Sequence, residues 1–208
     1  MDTNGSIPWE KIYNLNLRCG NIHKLKTFSV EVLSGLKELC DYDQGLIYFL
    51  DGNGKVYNQY LINIDKQWST MYLNYYSKVD NGRYSIKKKM RDECAVPSIN
   101  IREWEREPAS EFVANYIRLR GLKYSLGFSL NDLNDKPRTI FALDKTGFNN
   151  FTNNEFRALR LTVPLLNNLH KKFYLQQTIP QGGNQISWET TNLTPREKEV
   201  VNLLCQGV

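Results

Sequence analysis

The chain has little with which to hold a metal or run redox chemistry. Its four cysteines, Cys19, Cys40, Cys94 and Cys205, are scattered without a Cys-x-x-Cys pair, and His23 and His170 are its only histidines. That spacing supplies neither a zinc set nor a disulfide framework, so small buried or part-buried thiols are expected, with no metal and no cofactor. Both histidines fall inside helical patterns, at positions that read as surface or boundary. No apolar run approaches the ~20 residues that span a bilayer, and the opening MDTNGSIPWEK lacks the basic-then-apolar layout of a secretory leader. A cytoplasmic protein without membrane attachment is expected. There is no helical His-x-x-x-His, no Ser, His and Asp grouping, and no third glycine after Gly52 and Gly54 to complete a dinucleotide fingerprint. These gaps point away from an enzyme.

What is present is core-forming material: 41% hydrophobic and 12% aromatic residues over 208 positions, enough for one packed domain with extensions. The net charge of +5 invites thoughts of nucleic acid, but its placement argues otherwise. Residues 193–208 set Arg196 and Lys198 against Glu197 and Glu199, whereas Lys87, Lys88, Lys89 and Arg91 contribute to the excess earlier in the chain. A solvated loop explains such a run.

In chain order, a polar leader precedes Ile22, Leu25, Val32, Leu33, Leu36, Leu39 and Cys40, whose spacing predicts one long amphipathic helix. Gly45 to Leu50 reads as a central strand, Asp51-Gly-Asn-Gly54 as a turn, and Lys55 to Ile64 as the returning strand of a hairpin. Asp65 can cap a helix with Trp68, Met71, Tyr72, Tyr75 and Tyr76 on one face. Such an aromatic face serves either core packing or the wall of a ligand pocket, and both readings stay open. From Lys78 to about Ser110 the periodicity fades, with Val96 to Ile101 as a short strand and Trp104 isolated among charges. Ser110 then caps a helix with Phe112, Val113, Tyr116 and Ile117 inward, stopped by Gly121. Leu122, Tyr124, Leu126, Phe128 and Leu130 alternate with Lys123, Ser125, Gly127 and Ser129, giving a strand with one apolar face and one small or polar face. Thr139 to Asp144 forms a further strand. Thr152 and Glu155 open a long helix carrying Phe156, Leu159, Val163, Leu166, Leu169 and Phe173, with a kink expected at Pro164. The order describes an antiparallel sheet flanked by helices, an α+β domain.

The chain closes on a second capped helix: Thr194 at the cap, Pro195 at the first helical position, Glu197 three residues after the cap, then Val200, Val201 and Leu204 on one stripe and Gly207 as a stop. The run Leu193-Thr-Pro-Arg-Glu-Lys-Glu-Val200 resembles the first helix of the LuxR-type helix-turn-helix domain. Upstream, Asn115-Tyr-Ile-Arg-Leu-Arg-Gly-Leu-Lys-Tyr-Ser-Leu-Gly-Phe-Ser-Leu130 and Phe151-Thr-x-x-Glu155 resemble the GAF/PAS-like sensor fold. Together these resemblances imply a bacterial transcription regulator, with a sensor or dimerisation domain over 1–177, a linker over 178–192, and a helix-turn-helix beginning at 193–208 and cut after its first helix. They imply DNA as a partner of the full-length protein only, a homodimer, and an unknown small-molecule ligand. The recognition helix lies further along in that family, so no specific DNA binding is expected of these residues alone.

Trp68, Tyr72 and Asp80 are spaced similarly to the lactone-holding residues of LuxR-type quorum receptors, with Trp104 as a later aromatic. Tyr48, Trp68, Tyr72, Tyr76, Asp80, Trp104, Tyr116 and Phe128 are the candidate ligand-binding residues; Thr194, Arg196 and Glu197 are those of the helix-turn-helix start. The GAF fold also serves a free methionine sulfoxide reductase that relies on pocket cysteines, for which Cys94 is the candidate thiol. A ligand-free dimerisation scaffold is the other alternative.

Overall fold

The computed structural model describes residues 6–80, 85, 97–177, 194 and 196. The chain divides into two units, Met1–Leu175 and Gln176–Val208. In the second, Thr194 is exposed and Arg196 is helical. The expected linker, Glu197 and the stripe of Val200, Val201 and Leu204 lie outside the described residues, as does Cys94.

The polar leader carries a helix. In α1 (Trp9–Gly20) Ile12, Leu15 and Cys19 fall at i, i+3 and i+7 and are buried, a stripe too thin to stand out among polar neighbours. The single long helix expected from Ile22 is therefore a shorter α2 (Leu25–Leu36), which buries Phe28, Val32, Leu33 and Leu36. A Cβ at Gly35 would collide with the Leu15 side chain, so this glycine sets how closely α1 and α2 approach.

β1 (Gln44–Leu50) and β2 (Val56–Ile62) form the predicted hairpin, pairing Gly45 with Ile62 and Phe49 with Asn58. Its turn is held by the Asp51 carboxylate, which accepts from the N–H groups of Asn53 and Lys55 at 2.9 Å each. Next come α3 (Lys66–Met71), a π-helical turn (Tyr72–Tyr76) and a last helical piece (Ser77–Val79). After β3 (Asn100–Glu103) a second π-helical turn (Val113–Ile117) leads to β4 (Tyr124–Asn131) and β5 (Pro137–Lys145). The long helix α4 (Asn153–Lys171) closes the domain and carries both bonds of the Thr152–Glu155 capping box. The helix continues through Pro164.

The five strands make one sheet in the order β2-β1-β5-β4-β3, every neighbouring pair antiparallel. Its faces differ because side chains alternate along each strand. Ile47, Phe49, Leu126, Phe128, Leu130, Phe141 and Leu143 join α1, α2 and α4 in the main core. There Phe128 and Phe141, register partners, stack with ring centroids 4.8 Å apart. Burying each such ring is worth about 1.5–3 kcal/mol.

His170 is not a surface or boundary residue; it is fully buried. The histidine sits on the inward side of α4 because its two nitrogens find partners on the sheet. Nδ1 lies 3.0 Å from the carbonyl of Asn131, which can only accept, so Nδ1 carries the proton and Nε2 accepts from the Thr139 hydroxyl at 2.9 Å. Burial pushes the imidazole pKa down to about 4, with the bond to Asn131 opposing. The folded pKa therefore lies below the unfolded one, and the folded state binds fewer protons as pH falls from about 6.5. Wild-type stability should fall between pH 6.5 and 4 by up to about 3 kcal/mol more than that of His170→Asn, as read from urea midpoints. Parallel pH profiles for the two proteins would refute this account.

Candidate functional site

The other face of the sheet is built from small and polar residues. Across it run two register rows: Asn100, Gly127, Ala142 and Leu46, and next to them Arg102, Ser125, Asp144 and Gln44. Where Gly127 pairs with Ala142 the floor has almost no side chain, and helical segments roof the space instead of filling it. The result is a cavity of about 130 Å³ lined by all of these but Gln44, with Tyr48, Tyr72, Asp80, Trp104, Phe112, Tyr116 and Arg120 among its walls.

The roof comes from the two π-helical turns. The Asp65 side chain caps α3 by accepting from the Gln67 N–H at 2.9 Å. A regular α-helix would turn Met71 and Tyr75 inward with their neighbours, yet both are exposed. The π-helical turn holds more residues per turn than an α-helix. Residues spaced by four, Trp68, Tyr72, Tyr76 and Asp80, therefore stay on the inner side. In the second segment the Ser110 hydroxyl accepts from the Val113 N–H, and Gly121, at φ 69°, ends it as expected. Phe112 and Tyr116 stack at 5.2 Å, and Tyr76 meets Tyr116 at 5.1 Å. Trp68 joins edge-on to Tyr116 at 5.7 Å, and Trp104 edge-on to Phe112 at 5.9 Å. Trp104 is thus not isolated among charges; it is buried in this aromatic cluster, with the Arg102 guanidinium 4.8 Å from its ring.

Beneath the rings lies a buried polar chain. The Trp104 indole N–H donates to the Ser125 hydroxyl at 2.7 Å, and Ser125 donates to Asp144 Oδ1 at 2.5 Å. Arg120 meets Asp144 Oδ2 at 3.1 Å, the two side chains each 5% exposed, and donates to Gln44 Oε1 at 2.6 Å and to the Tyr116 hydroxyl at 3.2 Å. Burial raises the Asp144 pKa above the ordinary carboxylate value, outweighing Arg120 and the Ser125 bond, which pull it down. On the rim, the Tyr75 hydroxyl donates to Glu111 at 3.1 Å, tying one roof segment to the other.

Of the candidate residues, Tyr48, Tyr72, Asp80, Trp104 and Tyr116 line the cavity. Trp68 and Tyr76 stand behind them in the aromatic cluster. Phe128 is placed elsewhere: it points from β4 into the main core, since alternation puts its neighbours Gly127 and Ser129 on the opposite face. Sequence reasoning missed Arg102, Arg120, Ser125, Asp144 and the Gly127–Ala142 gap. The small-or-polar face of β4 was the available signal for Ser125 and Gly127. Cys19 and Cys40 lie in the main core, their thiol pKa values pushed up to about 12 by burial, and neither lines the cavity. Among the described residues no group of His, Cys, Asp or Glu could hold a metal ion.

Removing Arg120 leaves Asp144 as a buried, unpaired carboxylate. Arg120→Leu should cost about 3–5 kcal/mol at pH 8 by urea denaturation. Without the guanidinium the folded pKa of Asp144 rises further above the unfolded value, so stability is lost as pH rises through it. The penalty should shrink as pH falls and Asp144 takes up a proton. A penalty independent of pH would show that Asp144 is not the group left exposed by the change.

No family model and no curated protein matches the sequence. Solved structures do match the fold. The phycoerythrobilin-bound GAF domain of a cyanobacterial phytochrome superposes with TM-score 0.56 at 10% identity, over 81% of this chain and 97% of its own. CepR2 from Burkholderia cenocepacia, an N-acylhomoserine lactone dependent LuxR family transcription factor, gives TM-score 0.56 at 10% identity, over 83% and 98%. Escherichia coli SdiA gives 0.55 at 12% identity, over 96% of this chain and 79% of its own. The chain has the GAF-like α+β fold, a five-stranded antiparallel sheet flanked by helices.

Proposed function

We propose that residues 1–177 are the sensory domain of a transcription regulator of LuxR type, binding a small molecule in the cavity roofed by the aromatic cluster. The observation that carries this is the Gly127–Ala142 gap, an opening in the sheet floor lined by buried aromatic and polar side chains. A domain selected only for packing would fill it. The similar fold of the bilin-bound GAF domain and of lactone-dependent CepR2 supports the reading, because each of those proteins is named for a small molecule it uses. The resemblance of Leu193 to Val200 to a LuxR-type first helix supports the regulator half, with DNA as the partner of the full-length protein.

The protein acts without being an enzyme in this reading. No helix among the described residues is long and apolar enough to cross a membrane, and the protein is taken to work in the cytoplasm.

Occupancy should raise the melting temperature, since a ligand at 100 times its dissociation constant stabilises the folded state by about 2.7 kcal/mol. Ala142→Phe places a ring in the gap. The variant should fold, and it should lose the thermal shift that a small-molecule extract of host cells gives the wild type. A shift that survives Ala142→Phe would move the binding site elsewhere.

The domain also works as a homodimer in this proposal. Trp9, Tyr13 and Leu17, spaced by four along α1, are 61%, 65% and 53% exposed, and Leu161 and Leu165 on α4 are also exposed. Such stripes are covered in most folded proteins. Light scattering should give a dimer mass for the wild type and a monomer mass for Tyr13→Glu combined with Leu165→Glu. A dimer that withstands both charges would place the interface on another face.

A further inference from the structure

The buried polar chain holds donors that no acceptor among the described residues receives. Each oxygen of Asp144 already has a partner, and the Ser125 hydroxyl both accepts from Trp104 and donates to Asp144. The Tyr116 hydroxyl accepts from Arg120, and its own proton meets no acceptor among the described residues. Arg120 Nε is buried without a partner among them as well. Both residues line the cavity, and Tyr116 is 4% exposed. Buried donors left unfilled are costly, and a neighbouring guanidinium makes the Tyr116 O–H a stronger donor.

Size and shape narrow the occupant further. A space near 130 Å³ suits a single ring, since a cavity of about 150 Å³ accepts benzene. Its walls are flat: Tyr48 stacks parallel to Tyr72, and Phe112 to Tyr116. Charge also counts. Arg120 is paired with Asp144, and Arg102, the other arginine of the lining, lies 3.9 Å from Glu107, so a further carboxylate would be buried at a further desolvation cost.

We propose that the cavity recognises an uncharged, flat, ring-sized molecule bearing one carbonyl-type acceptor oxygen, which takes the free proton of Tyr116 beside Arg120. This rests on the cavity being the sensory site. The ring lies among Tyr48, Tyr72, Trp104 and Phe112, over the Gly127–Ala142 gap.

Three probes separate the features. Acetophenone carries ring and acceptor, ethylbenzene has nearly the same shape without the oxygen, and benzoate carries a charged acceptor. Binding to the full chain is measured by ligand-observed NMR for wild type, Tyr116→Phe and Ala142→Phe. Acetophenone should bind wild type roughly tenfold more tightly than ethylbenzene, and Tyr116→Phe should erase most of that ratio. Ala142→Phe should abolish binding of both. Equal affinity for ethylbenzene, tighter binding of benzoate, or binding that survives Ala142→Phe would each overturn the proposal. If acetophenone fails while a cell extract still stabilises wild type and not Ala142→Phe, the ligand class is wrong and the sensory site stands. If the extract fails too, both fall.

Discussion

A carboxylate at the centre of a sheet has to be satisfied where it stands, and Asp144 imposes that requirement on most of the site. It lies on β5, yet its partners come from β4 through Ser125 and from the segment after the second π-helical turn through Arg120. Arg120 then reaches Gln44 on β1 and Tyr116 in the roof, while Ser125 receives Trp104 from just beyond β3. One buried charge thereby links three strands, and the residue that follows β3, to the helical roof. In water each of these contacts would be worth little; inside the protein their geometry is fixed because an unmet partner is expensive. The roof is positioned by this polar chain from below and by ring packing from its own side.

The periodic parts of the fold were legible in the sequence, and the aperiodic parts of the site were not. Strict alternation from Leu122 to Leu130 announced β4 and its two unlike faces, and Asp51 to Gly54 announced the hairpin turn. The Thr152–Glu155 pair announced the start of α4. Helix α1 escaped because only Ile12, Leu15 and Cys19 mark its buried side among polar residues. The aromatic helix was recognised but wrongly phased, since a 3.6-residue period cannot anticipate a π-helical turn that leaves Met71 and Tyr75 outside. Asp144 and Arg120 gave no local signal at all. Their importance arises from a pairing 24 residues apart that only the folded chain creates.

His170 shows the same principle on the opposite side of the sheet. Its sequence neighbours suggest a solvated helix end, but Thr139 and the Asn131 carbonyl convert the imidazole into a neutral crosslink between α4 and the β4–β5 end of the sheet. Asn167 adds to the joint by accepting from the Asn131 N–H at 2.7 Å. The cavity and this joint thus use the same two strands, one from each face. In the proposed sensory role, a change in strand position at the cavity would have a hydrogen-bonded route to α4. Such a route carries information only if a ligand has different affinities for two arrangements of it.

That condition bears on whether the domain is a mere scaffold. Buried ion pairs are poor stabilisers: apolar residues of similar volume in place of Asp144 and Arg120 would hold the sheet and roof together at least as well. A fold needing only stability also gains nothing from Gly127 beside Ala142, where larger side chains would close the gap and add burial. The site therefore gives up stability twice, once in charge and once in volume, and at adjacent positions on one face. In the proposed sensory role both departures have the same use. A buried charge fixes the orientation of neighbouring donors before any ligand arrives, and the empty volume beside them is where an acceptor can meet those donors. Neither feature would serve a domain whose work is dimerisation, because the proposed dimer would draw on the exposed helical stripes and leave this face of the sheet untouched.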